Sequence, residues 1–259
     1  MKIYIHTDLE GVTDLVRADQ IPPESEDYRR CCENLMLDLN AAVAGAFEGG
    51  ATHVTVLDSH AGGGNFILDA LDKRAFNDTK PNGKWWGQLD ESYDGTFFIG
   101  AHAMAGTINA FLDHTQCPRS WYNYYLNGRK LGELAQWAAV AGNFGVPMLM
   151  VCGDEAACAE ARAFFNPVET AAVKQGLGRN AALGYPPAEA RERIAQGARR
   201  AMSLVGKARP LRPISPMEVK LEMCRSDMCD EMLAKWPEAE RTDARTIRRT
   251  TTDQLDILF

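Results

Sequence analysis

Lys2-Ile3-Tyr4-Ile5 runs directly into His6-Thr7-Asp8-Leu9-Glu10-Gly11 at the start of the chain. The first four residues alternate and are β-prone, which predicts a strand. That strand ends in two carboxylates, Asp8 and Glu10, separated by one residue, so on an ideal strand they point the same way. A carboxylate pair at one spot repels itself unless a cation or a proton sits between the two. A capped turn produces the same pattern, and the pair alone leaves both readings open.

Working outward, Asp27 to Phe47 carries apolar residues at Cys32, Leu35, Met36, Leu39, Val43, Ala46 and Phe47. This three-and-four spacing predicts an amphipathic helix, and Gly49-Gly50 supplies its stop. A second strand, His53-Val54-Thr55-Val56-Leu57, follows and ends in Asp58-Ser59-His60. Strand, helix, strand over 57 residues describes a parallel crossover. Thr96-Phe97-Phe98-Ile99 then ends in Gly100-Ala101-His102, and Glu133 opens a helix (Leu131 to Asn143) after the strand-like Trp121 to Leu126 and the turn Asn127-Gly128. Sites in open α/β sheets form at the carboxyl ends of parallel strands. Asp8, Glu10, His60, His102 and Glu133 arriving there together predict a metal centre.

Taken singly, each of these residues has a plainer reading. A loop histidine is usually bonded to a neighbour, and a glutamate in a first helical turn is favoured by the helix dipole alone. Only the conjunction points to a metal. His114, between Asp113 and Thr115, lies in a region free to fold over such a site. His6 and His53 are read as structural, from strand parity or from preceding a strand. Trp85, Trp86, Trp121 and Tyr122 are candidates for a substrate wall, with core packing the plainer role for most.

Further along, Met148 to Val151 predicts a buried strand, and Asp154 is placed to cap a helix from Glu155 to Phe165. Between Ala61 and Gly95 the pattern is irregular apart from a helical stretch near Ile67 to Leu71. After Asn166 the character changes. A charged amphipathic helix runs from Ala188 to Val205, and Pro210, Pro213 and Pro216 mark a boundary. A strand (Glu218 to Met223), a helix (Asp227 to Trp236) and a strand (Thr246 to Thr251) follow. The expected architecture is α/β: a mostly parallel sheet flanked by helices. Residues 1–165 form the catalytic domain carrying the metal ligands, and residues 166–259 a smaller α+β C-terminal domain.

Composition narrows the function. The 259 residues are 46% hydrophobic, enough for one large domain or two unequal ones. A net charge of -7 without any local basic run argues against a nucleic-acid surface. No apolar run reaches the roughly 18 residues of a membrane span, and no leader precedes Asp8, so a cytoplasmic protein is expected. Seven cysteines without a Cys-x-x-Cys pair fit reduced thiols, and Cys224 and Cys229 are read as ordinary ones.

Thr-Asp-Leu-Glu-Gly (7–11), Asp-Ser-His (58–60), Gly-Ala-His-Ala (100–103), Asp-His-Thr (113–115) and Gly-Glu-Leu (132–134) together resemble the zinc D-aminopeptidases of the DppA type. The resemblance continues through 146–154 and 170–175 and resumes at Thr250-Thr251-Thr252. It implies two Zn²⁺ per chain with Asp8 bridging them. Glu10 and His60 would complete one site, His102 and Glu133 the other, and His114 would be the catalytic histidine. It also implies a ring-shaped homo-oligomer, a decamer being one form, that encloses its active sites. Asp113 departs from the small polar residue expected there, and is expected to act on His114 or on a substrate ammonium.

The activity so implied is hydrolysis of the N-terminal bond of a short peptide or aminoacyl amide, including D-residue peptides, by a metal-bridging hydroxide. Two rivals remain at this stage. A magnesium phosphohydrolase using Asp8 as nucleophile has little use for His60 and His102, and Gly62-Gly63-Gly64 lacks a following Lys-Ser or Lys-Thr. A non-catalytic zinc- or peptide-binding protein is separated from the enzyme only by an assay of product release.

Overall fold

The computed structural model describes residues 1–259. Its strands are β1 (Lys2–Thr7), β2 (His53–Asp58), β3 (Ala75–Asp78), β4 (Gly95–Ala101), β5 (Trp121–Leu126), β6 (Arg129–Lys130), β7 (Met148–Asp154), β8 (Glu169–Gly178), β9 (Ala181–Gly184), β10 (Met217–Met223), β11 (Glu240–Arg241) and β12 (Thr246–Thr251). The helices are α1 (Tyr28–Glu48), α2 (Glu133–Asn143), α3 (Glu155–Phe164), α4 (Pro187–Ala201) and α5 (Ser226–Lys235). Seven strands form one sheet in the order β3-β2-β1-β4-β7-β8-β9. All its pairings are parallel except the edge pair β8–β9. The strand order reverses beside β1, whose neighbours are β2 and β4, and a crevice opens at the carboxyl ends of strands at such a point.

Both faces of this sheet are covered. Ile3 and Ile5 of β1, Val54 and Val56 of β2, and Phe97 and Ile99 of β4 pack with Leu39 and Val43 of α1 and Ile194 and Ala198 of α4. The alternate residues Tyr4, Leu57 and Phe98 pack with Trp137 of α2 and Ala157 and Ala161 of α3 on the other face. Period-two alternation thus divides each strand between two cores. At roughly 1.5–3 kcal/mol per fully buried large apolar side chain, these two layers dominate the drive to fold.

The second sheet, β11-β12-β10-β5-β6, is antiparallel. Tyr124, Leu126, Val219, Leu221 and Ile247 pack on Ala135, Ala139 and Val140 of α2. Helix α2 therefore lies between the two sheets, and every residue from Leu134 to Gly142 is buried. That explains a helix with hardly any polar side chains.

The expected division at 165/166 does not coincide with these layers. Strands β8 and β9 belong to the first sheet and α4 packs on α1, whereas β5 and β6 belong to the second. The chain leaves the first sheet at residue 121 because β5 finds its partner, β10, about ninety residues later. The stretch Ile67 to Leu71 is a single 3-10 turn, Leu68–Ala70. All seven cysteines are free thiols. No helix is long and apolar enough to cross a membrane.

Candidate metal centre

The loop after β1 is fixed against the end of β4. Asp8 N–H donates to Ile99 C=O at 2.8 Å and Gly11 N–H to Gly100 C=O at 2.7 Å. Gly100 has φ +81, and a Cβ there would collide with the Asp8 carbonyl oxygen, so only glycine permits this approach. From below, the fully buried Lys174 of β8 donates to the carbonyls of Glu10 (2.6 Å), Val12 (2.9 Å) and Leu15 (2.6 Å). Burial lowers the Lys174 ammonium to about 8, while the carboxylates of Asp154, Asp38 and Glu10 favour its charge. Lys174→Met strips three buried carbonyls of their donor and removes a positive charge that acts on Asp154 and Asp38. It is expected to cost about 3–5 kcal/mol of stability, read by denaturant unfolding.

His60 stands on a loop held by Asp58, whose carboxylate accepts from the backbone N–H groups of Gly64, Asn65 and Phe66 at 2.9, 2.6 and 3.1 Å. Asp58 is thus a loop anchor. The His60 Nδ1 lies 3.0 Å from Asp8 Oδ1 and 3.1 Å from Glu10 Oε2. On the opposite side, His102 Nε2 lies 3.4 Å from Asp8 Oδ2 and 3.3 Å from Glu133 Oε1. The two oxygens of Asp8 therefore face different partners, one toward Glu10 and His60, the other toward His102 and Glu133.

His102 donates Nδ1–H to the Ala103 carbonyl at 3.0 Å, which leaves Nε2 bare in the neutral ring. That Nε2 is buried and has no hydrogen-bond partner, although two carboxylates face it. An orphaned imidazole nitrogen among carboxylates is the arrangement a metal ligand requires. Glu133 is the first residue of α2, the helix start at which it was expected, and the chain reaches it through the β5–β6 hairpin of the second sheet.

Protein charges alone produce strong shifts here. Burial disfavours the His60 imidazolium, but Glu10 and Asp8 outweigh it and push its pKa up to about 11. Burial likewise opposes charge on Asp8, yet bonds to His102 and His60 hold its carboxyl well below the usual range. Glu133 is lowered in the same way, mainly through His102. The clustered carboxylates demand positive charge, from protonated imidazoles or from bound cations.

His114 stacks on His102, with ring centroids 3.9 Å apart and planes 10° apart. It directs Nδ1 to the Leu112 carbonyl at 2.7 Å, so Nε2 points inward, 3.9 Å from Glu10 Oε1 and 3.7 Å from Glu133 Oε1. Asp113 turns its carboxylate to other partners. Its carboxylate accepts from Gly106 N–H at 2.6 Å and pairs with Arg179 at 3.3 Å, which ties down the loop.

The six expected residues line or underlie one cavity of about 310 Å³, together with His6, Ser59, Gln116 and Pro118. His6, read as structural from the sequence, also borders this cavity. It packs on Trp137 and Phe98, with centroids 4.2 and 4.4 Å away, and forms part of the cavity wall. Its position two residues before Asp8 places it on the same strand face, a signal available in the sequence. Trp85 and Trp137 line a neighbouring cavity, whereas Trp121 is buried in a stack on Tyr124 and Tyr122 is exposed.

The model of the peptidase family M55, described as D-aminopeptidase, matches residues 1–258. The chain belongs to this D-aminopeptidase family. A D-aminopeptidase of Bacillus subtilis (strain 168) is 34% identical over 216 residues, covering 82% of this chain and 78% of that protein. The solved structure of the Zn-dependent D-aminopeptidase DppA from Bacillus subtilis, a self-compartmentalizing protease, superposes with a TM-score of 0.93. It is 30% identical, and the match covers 99% of this chain and 94% of that one. Family membership disposes of the phosphohydrolase reading.

Proposed function

We propose that this D-aminopeptidase family member is a dinuclear zinc metallopeptidase that releases the N-terminal residue of short peptides or aminoacyl amides, D-residues included. The observation that carries the reading is the division of Asp8, one oxygen toward Glu10 and His60 and the other toward His102 and Glu133. Asp8, Glu10 and His60 would hold one zinc; Asp8, His102 and Glu133 would hold the other. Mixed nitrogen and oxygen donors suit zinc, and the zinc-dependent relative supports that choice. When bound, zinc makes water nucleophilic near neutral pH and polarises a carbonyl.

The chain's own groups supply the remainder. His114 is held by the Leu112 carbonyl so that Nε2 reaches the reacting region, where it donates to the developing oxyanion or passes a proton to the departing nitrogen. Gln116 N–H donates to Glu133 Oε1 at 2.6 Å and keeps that carboxylate turned inward. Stacking on His102 orients the His114 ring. Several chains assemble into one homo-oligomer in this reading. The exposed Ile108, Leu177 and Leu183 supply apolar surface for it, and the self-compartmentalizing relative supports it.

The test is a screen of the zinc-loaded chain over matched D- and L-aminoacyl amides and dipeptides. D-isomers are expected to lose their N-terminal residue, with activity abolished by a chelator and restored by zinc. A fully zinc-loaded chain that hydrolyses none of them would end the proposal.

A further inference from the structure

A second cavity, of about 370 Å³, adjoins the metal centre and shares His6, Ser59, Gly62, Gln116 and Glu133 with it. Its remaining wall is apolar, with the side chains of Trp85, Trp137, Leu258 and Phe259. Among its side chains only Lys80 and Glu133 carry full charges, and Glu133 is committed to the metal centre. Lys80 is thus a cation on the wall of an aromatic cavity that adjoins the metal centre, and it also borders a second cavity beside Asp58 and Asp78.

Lys80 is also held in place. Its backbone adopts φ +53, uncommon for a residue other than glycine. Its N–H donates to Asp78 Oδ1 at 2.8 Å, and Asp78 in turn accepts from Tyr4 Oη at 2.6 Å. The ammonium donates once, to the Gly62 carbonyl at 3.0 Å. An ammonium has three donors, so two remain for a ligand. A lysine restrained in this way has already lost much of the rotamer freedom that binding would otherwise remove.

Building on the peptidase reading above, we propose that Lys80 binds the α-carboxylate of the residue leaving the metal centre, so that free-acid dipeptides are the preferred substrate class over aminoacyl or dipeptidyl amides. The N-terminal residue sits at the metal centre, the second residue lies against Trp85 and Trp137, and its carboxylate meets the two free Lys80 donors. Charge-assisted bonds of this kind discriminate an acid from its amide by about 10–100-fold.

The experiment compares kcat/KM of the zinc-loaded enzyme for D-alanyl-D-alanine and its C-terminal amide, in wild type, Lys80→Met and Lys80→Arg. Wild type should favour the acid by about 10–100-fold. Lys80→Met should bring the acid-to-amide ratio to near unity, while Lys80→Arg retains most of the preference. An unchanged ratio in Lys80→Met, with both substrates falling together, assigns Lys80 to holding the Gly62 loop and overturns the proposal. Amide hydrolysis by wild type without any acid preference overturns this subsite alone. Hydrolysis of neither substrate overturns the peptidase reading and this subsite with it.

Discussion

Asp8→Ala is expected to abolish both zinc sites of the proposed dinuclear centre together, with activity falling below detection. The reason is the placement of its carboxylate. Oδ1 is 3.0 Å from the His60 nitrogen and Oδ2 is 3.4 Å from that of His102. In the proposed arrangement, Ala leaves Glu10 and His60 on one side and His102 and Glu133 on the other, two donors each. Two donors hold zinc far more weakly than three, because structural and catalytic zinc sites use at least three protein ligands. Glu10→Ala is the control, since it removes a donor from one side only. Metal analysis after gel filtration reads the result: near zero for Asp8→Ala, and intermediate for Glu10→Ala. Full zinc occupancy in Asp8→Ala would remove the bridge from the scheme.

His114→Ala should do the opposite, keeping zinc while losing turnover. General acid–base and oxyanion groups typically contribute about 10²–10⁴-fold, so kcat is expected to drop in that range. The metal count matters because a His114 nitrogen, a His102 nitrogen and a Glu133 oxygen lie close enough together to share an ion. A ligand role would release one zinc; a catalytic role would release none. Retained zinc with unchanged kcat would remove His114 from the chemistry altogether.

Much of the parallel sheet was legible because its strands are short apolar runs next to recognisable helices. β1, α1 and β2 follow from periodicity alone, and β4 and β7 from buried runs bounded by turns. β8 was not assigned. Glu169 to Gly178 is rich in alanine and glycine, and Lys174 occupies an inward position where an apolar residue signals a strand. That lysine is fully buried because three carbonyls and nearby carboxylates compensate it, information that is distributed over more than 150 residues. The layer boundary was hidden for a similar reason. Nothing local to Trp121–Leu126 says that its partners are Val219 to Met223 rather than β4.

The site was more legible than the fold around it. Asp8, Glu10, His60 and His102 sit where strands end, and strand ends can be read from local pattern. Glu133 was placed correctly on a helix start, but its route there was not, because that route runs through the second sheet. Lys80 was not singled out at all. It follows the edge strand β3, whose sequence Ala-Phe-Asn-Asp has little alternation to reveal it.

Because α2 is wedged between the two sheets and Glu133 is its first residue, neither sheet can be excised as an independently active module. A lesion in the remote antiparallel layer, at Leu221 or Ile247 for instance, would transmit through one shared rod to the proposed zinc ligand Glu133. Variants mapping far from the catalytic cleft would accordingly be diagnosed first by poorer metal retention, before any gross loss of structure.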